Sequence, residues 1–122
     1  MSDNNLSVSR DTDARFAERR AAARYALSAA IELLEPITST QIAGRTFEIS
    51  LKGCYIRASN PLRVNTVIQL FIHRERRTFE AWGRVAHMQE DLGMGIAFFQ
   101  AQPENERVIL DWISELSLRT PQ

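Results

Sequence analysis

From about residue 25 to residue 100, apolar and polar positions alternate in short runs broken by turn residues. That period of two belongs to strands with one face on a core. Arg45–Leu51 places Phe47, Ile49 and Leu51 on one face. Gly53 then interrupts the run, as glycine does where a backbone turns or must approach something closely. Cys54–Ala58 resumes with Cys54, Ile56 and Ala58 together, and Asn60–Pro61 marks a turn. Val67–His73 is rich in Val, Ile and Phe, a strand composition. The charged stretch Arg74–Arg77 predicts a hairpin loop, and with His73 a solvated one. Thr78–Met88 puts Phe79, Ala81, Gly83, Val85 and His87 on one side. A turn at Asp91, Leu92 and Gly93 leads into a last strand carrying Met94, Ile96 and Phe98.

The period then changes. Val108, Ile109, Trp112, Ile113 and Leu116 form one stripe at helical spacing. Pro103 suits the first helical turn and Glu104 suits its dipole, so a helix opens there and frays in the final LRTPQ. Trp112 belongs to the core by this stripe, while Trp82 faces away from Val85, toward core or interface.

Residues 14–35 admit two readings. Their density of alanine, the best helix former, favours a helix from Ala14 to Leu34. Against it, Arg20 and Arg24 would repel at i and i+4, by about 0.2–0.5 kcal/mol. Leu27, Ala29, Ile31 and Leu33 also alternate, which predicts a strand from about Tyr25 to Leu34, ended by Pro36. About six strands followed by one helix predict a mainly β domain: a small antiparallel barrel or sandwich with a helix packed on it.

Bulk properties narrow the function. A chain of 122 residues is one domain, large enough to bury a core without staples. Residues 1–14 are polar and aperiodic, so a flexible tail is expected over residues 1–17, with the domain over 18–118. No apolar run reaches the roughly 20 residues that cross a bilayer, so membrane insertion is not expected. The polar start is no secretory signal, and the single cysteine, Cys54, fits a reducing compartment; a cytoplasmic protein is expected. Formal net charge is zero, whereas general nucleic-acid binders carry a basic excess, so DNA is not the expected partner. Ser50 sits in no nucleophile elbow, no glycine loop for phosphates is present, and Cys54 with two scattered histidines makes no metal site; no enzyme, cofactor or metal is predicted.

Charge is uneven, however. Residues 15–24 hold four arginines against one acid, Glu18. Arginine offers a rigid fork for phosphate oxygens and guanine acceptors, and a flat face that stacks on bases. Four extended residues span about 13 Å, so Arg20 and Arg24 can grip opposite sides of a large planar ligand. Downstream, Glu48 and Ser50 point the same way if the strand runs through both, a carboxylate and a hydroxyl beside each other. Gly53 admits close approach.

Arg20-x-x-x-Arg24 followed by Glu48-x-Ser50-x-x-Gly53 resembles the two-part signature of PilZ domains, RxxxR and [D/N]xSxxG. Arg19 stands in the position that often precedes it, and Glu48 stands where the family has Asp or Asn. Gly83-Arg-Val85 and Gly95-Ile-Ala-Phe98 look like further runs of that family, so the resemblance extends over Glu18 to Leu116. It implies a six-stranded antiparallel barrel with a C-terminal helix, in a bacterial receptor for cyclic di-GMP. Arg19, Arg20, Arg24, Glu48, Ser50 and Gly53 would bind the ligand, and His87 would lie near a base, where many members have tryptophan. Arg19 bears on whether one nucleotide or an intercalated pair is taken. Binding would change the domain's shape and signal to a protein partner in motility, pilus or exopolysaccharide control. Two alternatives stay open: a degenerate adaptor that binds protein without nucleotide, and a small barrel for single-stranded nucleic acid.

Overall fold

The structure is a computed structural model that describes residues 23–119. The expected tail and the arginines Arg19 and Arg20 lie outside the described residues. The strands are β1 (Tyr25–Ala26), β2 (Ala30–Glu35), β3 (Thr40–Ile49), β4 (Gly53–Arg57), β5 (Val67–Arg74), β6 (Arg77–Gln89) and β7 (Gly93–Gln100). One helix, α1 (Pro103–Arg119), follows. Antiparallel pairing runs β3, β2, β5, β6, β7, β4, and β4 pairs back onto β3, which closes six strands into a barrel. The two residues of β1 pair with the far end of β3.

Alternation fills the interior. Ile31 and Leu33 of β2, Ile56 of β4, Ile68, Leu70 and Ile72 of β5, and Val85 of β6 are all but inaccessible to solvent. Each such aliphatic side chain stabilises the fold by roughly 1.5–3 kcal/mol on burial. The helix packs on the barrel, chiefly against β6, and buries Ile109, Trp112, Ile113 and Leu116. Its first turn is capped by the Gln102 carbonyl, which accepts from the Asn105 and Glu106 amides at 2.9 and 3.0 Å. Helical structure continues through Leu118 and Arg119, past the expected fraying point.

The structure corrects four readings of the pattern. The predicted strand from Tyr25 to Leu34 is broken at residues 27–29. There β3 carries a bulge between Thr46 and Glu48, and the register shifts. Buried Thr46 bridges the break: its hydroxyl accepts from the Ala29 amide at 3.0 Å and donates to the Leu27 carbonyl. The same bulge reverses the alternation, so Phe47 is 45% exposed while Ile49 is buried. A second bulge, between Val85 and His87, likewise turns His87 out of the core row.

The fourth correction concerns the hairpin. Arg74 continues the inward row of Ile68, Leu70 and Ile72, so its side chain is only 8% exposed. Its guanidinium donates to Glu115 of α1 at 3.0 Å and lies 3.7 Å from Glu75. Arg77 reaches Asp111 of α1 at 2.9 Å, and His73 bonds Thr78 and Glu32. Two arginines of the expected solvated loop therefore anchor the helix.

Two stability predictions follow from these contacts. Glu115→Ala leaves the Arg74 charge in its enclosed site with only the longer Glu75 contact. Because Glu115 is itself half exposed, the expected loss is about 1–2 kcal/mol, below that of a fully buried pair. Urea denaturation measures it, and Arg74→Met should restore much of the loss in the Glu115→Ala background. Glu35 closes the turn after β2 by accepting from the Thr38 hydroxyl and the Ile37 and Thr38 amides. The Thr38 hydroxyl, followed by the Ile37 amide, holds its carboxyl below the ordinary value of 4.5. Folding thus favours the charged form, so this contribution is present above pH 4.5 and lost as pH falls through the lowered value. Wild type should melt above Glu35→Gln at neutral pH, and the gap should narrow on acidification to about pH 3.

Candidate functional site

The site lies on the outer face of the barrel, where β3, β4, β7 and β6 run side by side. Register places Glu48 opposite Tyr55, Tyr55 opposite Gly95, and Gly95 opposite His87. This is one row across four strands, and both bulges adjoin it. Gly95 is the gap in the row: a Cβ there would run into the His87 ring. With no side chain between them, the Tyr55 and His87 rings stack, centroids 6.1 Å apart and planes 23° from parallel.

A cleft of about 210 Å³ opens over this row. Arg24, Glu48, Ser50, Gly53 and His87 all line it, so the structure gathers every described residue that the sequence proposed for ligand contact. Arg24 enters from the segment before β1 and lies 3.9 Å from the Glu48 carboxylate. Lys52 adds a second cation to the rim. A shallower groove of about 800 Å³ adjoins the cleft, shares Arg24, Glu48, Tyr55 and His87 with it, and extends past Phe47 and Arg57 to Leu92.

Two signature residues do more local work than the sequence suggested. β3 ends at Ile49, so Ser50 lies in the turn and not on a strand face with Glu48. Its hydroxyl accepts from the Lys52 and Gly53 amides at 3.2 and 3.1 Å, and its own amide donates to the Gly53 carbonyl at 2.8 Å. Ser50 thus ties the hairpin that presents Lys52. Gly53 is needed by the fold itself, because a Cβ would collide with the Ile96 carbonyl of β7. Its Cα consequently leaves the cleft floor open at the start of β4.

Sequence reasoning overlooked Tyr55, Lys52, Phe47 and Arg57. The signal was present in β4: Cys54 and Ile56 point inward, so Gly53, Tyr55 and Arg57 share the outer face. Tyr55 donates to the Gln89 side chain at 2.7 Å and meets the Phe47 ring edge-on at 6.3 Å. The Arg57 guanidinium lies over Phe47, 4.2 Å from its centroid. Cys54 borders the cleft but is no nucleophile, since burial pushes its thiol up to about 12. Chemically, the described residues of this surface offer flat rings, the cations Arg24, Lys52 and Arg57, and the carboxylates Glu48 and Asp91. Among the described residues no group of His, Cys, Asp and Glu is arranged to hold a metal, and no helix is long and apolar enough to cross a membrane.

Comparison with known proteins agrees with this architecture. The PilZ domain of Escherichia coli YcgR with c-di-GMP is similar in fold: TM-score 0.66 at 13% identity, over 80% of this chain and 90% of that one. The PilZ domain of CeSA from a cellulose synthesizing bacterium gives 0.64 at 15%, over 79% and 99%. The Bacillus subtilis inhibitor of motility, MotI/DgrA, gives 0.69 at 13% over 81% of this chain, which spans about half, 51%, of that longer one. At such identities the likeness is one of fold. Among curated proteins no sequence matches. The sequence model of the PilZ domain matches residues 18–115, most of the chain, and the protein therefore belongs to the PilZ domain family.

Proposed function

We propose that this domain is a receptor for cyclic di-GMP, bound in the cleft over β3, β4, β7 and β6. The observation that carries the reading is convergence. Arg24, Glu48, Ser50, Gly53 and His87, far apart in the chain, line one cleft in a PilZ domain. Solved structures of similar fold support it, since those of YcgR and of Borreliella burgdorferi PlzA are complexes with c-di-GMP.

Each role follows from the chemistry. Arg24, with Arg19 and Arg20 from outside the described residues, supplies forks for phosphate oxygens and guanine acceptors. Glu48 accepts from guanine N–H donors. Ser50 and Gly53 shape the turn, and Lys52 adds charge at its tip. The arginines close over the ligand, and a protein partner reads the altered face. Such a domain acts as a receptor, without catalysis, and its outputs would include motility, pilus function or exopolysaccharide synthesis. One observation favours a second reading. Arg24 and Glu48 already face each other, so a nucleotide-free adaptor could use the same face for protein alone.

Calorimetry with cyclic di-GMP separates the two. Hydrogen bonds to charged groups contribute roughly 1.5–3 kcal/mol each, so losing a two-bond fork should weaken binding about a hundredfold or more. Arg20→Ala and Arg24→Ala should therefore abolish measurable binding while the melting temperature holds. Unchanged affinity in both, or no heat with wild type, removes the receptor reading. Glu48 gives a finer test. Ordering a glutamate side chain costs up to about 1.5–2 kcal/mol, more than the shorter aspartate loses. Glu48→Asp should tighten binding and Glu48→Ala should weaken it; no change in either would show that residue 48 does not touch the ligand.

A further inference from the structure

Tyr55 belongs to no part of the signature, yet it sits at the centre of the row. On its flanks are Glu48 of β3 and, across Gly95, His87 of β6. It lines both the cleft and the adjoining groove. The ring is held on three sides: its hydroxyl donates to Gln89, the Phe47 ring meets it edge-on, and the His87 ring stacks against it. Behind Phe47 stands the Arg57 guanidinium. Arg57, Phe47, Tyr55 and His87 thus form a continuous ladder of flat groups on the outside of a barrel. The bulges in β3 and β6 turn Phe47 and His87 outward beside Tyr55, against the phase that would bury them.

We infer that Tyr55 is the base-stacking residue of this site, taking the face of a purine against the outer surface of β4. The inference rests on the receptor reading above and adds the residue that grips the base. Tyr55 suits the task better than His87. Its ring is larger and half-buried, and its hydroxyl is anchored to Gln89, so little freedom remains to lose on binding. Glu48, its cross-strand neighbour, stands where an acceptor can meet the edge of the stacked base. Stacking holds the face and Glu48 reads the edge, which favours guanine, with its N–H donors, over other purines.

The test uses the full chain and cyclic di-GMP in calorimetry, with Tyr55→Phe, Tyr55→Leu, Tyr55→Ala and His87→Ala. Base–aromatic stacking contributes enough that removing it should weaken binding about tenfold to a hundredfold. Tyr55→Ala and Tyr55→Leu should both show that loss, the leucine because it keeps apolar bulk without a flat face. Tyr55→Phe should stay within about threefold of wild type, and His87→Ala should lose less than Tyr55→Ala. If the alanine variant does not fold, the leucine and phenylalanine pair carries the test. Wild-type affinity in Tyr55→Leu, or equal loss in Tyr55→Phe and Tyr55→Leu, overturns stacking by Tyr55 and leaves the receptor reading standing. Greater loss in His87→Ala overturns it too, by moving the stack to His87. If wild type itself does not bind, both fall together.

Discussion

Closing six strands into a ring fixes the face on which every side chain must lie. β4 has to pair with β7 on one side and β3 on the other, and no edge is left to absorb a misfit. In so small a barrel the inward row must be apolar and dense, as Ile68, Leu70 and Ile72 of β5 illustrate. Three register shifts bend the ladders: one in β3 between Thr46 and Glu48, and two between β6 and β7, at Trp82/Gly83 and Val85/His87. The shifts at Thr46/Glu48 and Val85/His87 sit beside the same cleft. Those two shifts turn Phe47 and His87 outward, beside the floor of the site.

That arrangement explains what the sequence could and could not reveal. Period-two alternation read the inward Cys54 and Ile56 of β4 and the inward Met94 and Ile96 of β7 correctly, because those stretches keep their phase. It misplaced Phe47 and His87, because a bulge adds one residue without leaving a mark in composition. Arg74 was misread for a different reason. Charge beside a turn normally means solvent, but the compensating carboxylate, Glu115, lies 41 residues away on a helix whose docking no local pattern announces. Tyr55 was legible by phase alone, as an outward neighbour of inward Cys54 and Ile56. The signature residues do not include it, and an outward tyrosine on a strand carries no ligand signal by itself.

Ser50 and Gly53 show why a ligand signature can look stronger than the contacts it encodes. Two backbone amides already bond the Ser50 hydroxyl, and the Ile96 carbonyl already forbids a side chain at Gly53. These residues shape the hairpin before any ligand arrives. Their requirement is satisfied by the fold, so their presence testifies to the shape of the cleft more than to its occupant. Arg24 and Glu48 carry no such local duty, and they are the more informative pair.

The two face each other at 3.9 Å, with Arg24 70% exposed. An exposed pair at that separation is worth about 0–1 kcal/mol, so parting it opposes ligand entry only slightly. On the proposed reading, a phosphate would gain from the Arg24 fork charge-assisted bonds of roughly twice the strength of neutral ones, which would release Glu48 toward the donors of a base. In the structure the Glu48 carboxylate reaches Arg24 at the edge of the cleft. A site held together by so weak a contact can open without disturbing the barrel beneath it, because none of the bonds that close β3 onto β4 pass through either side chain.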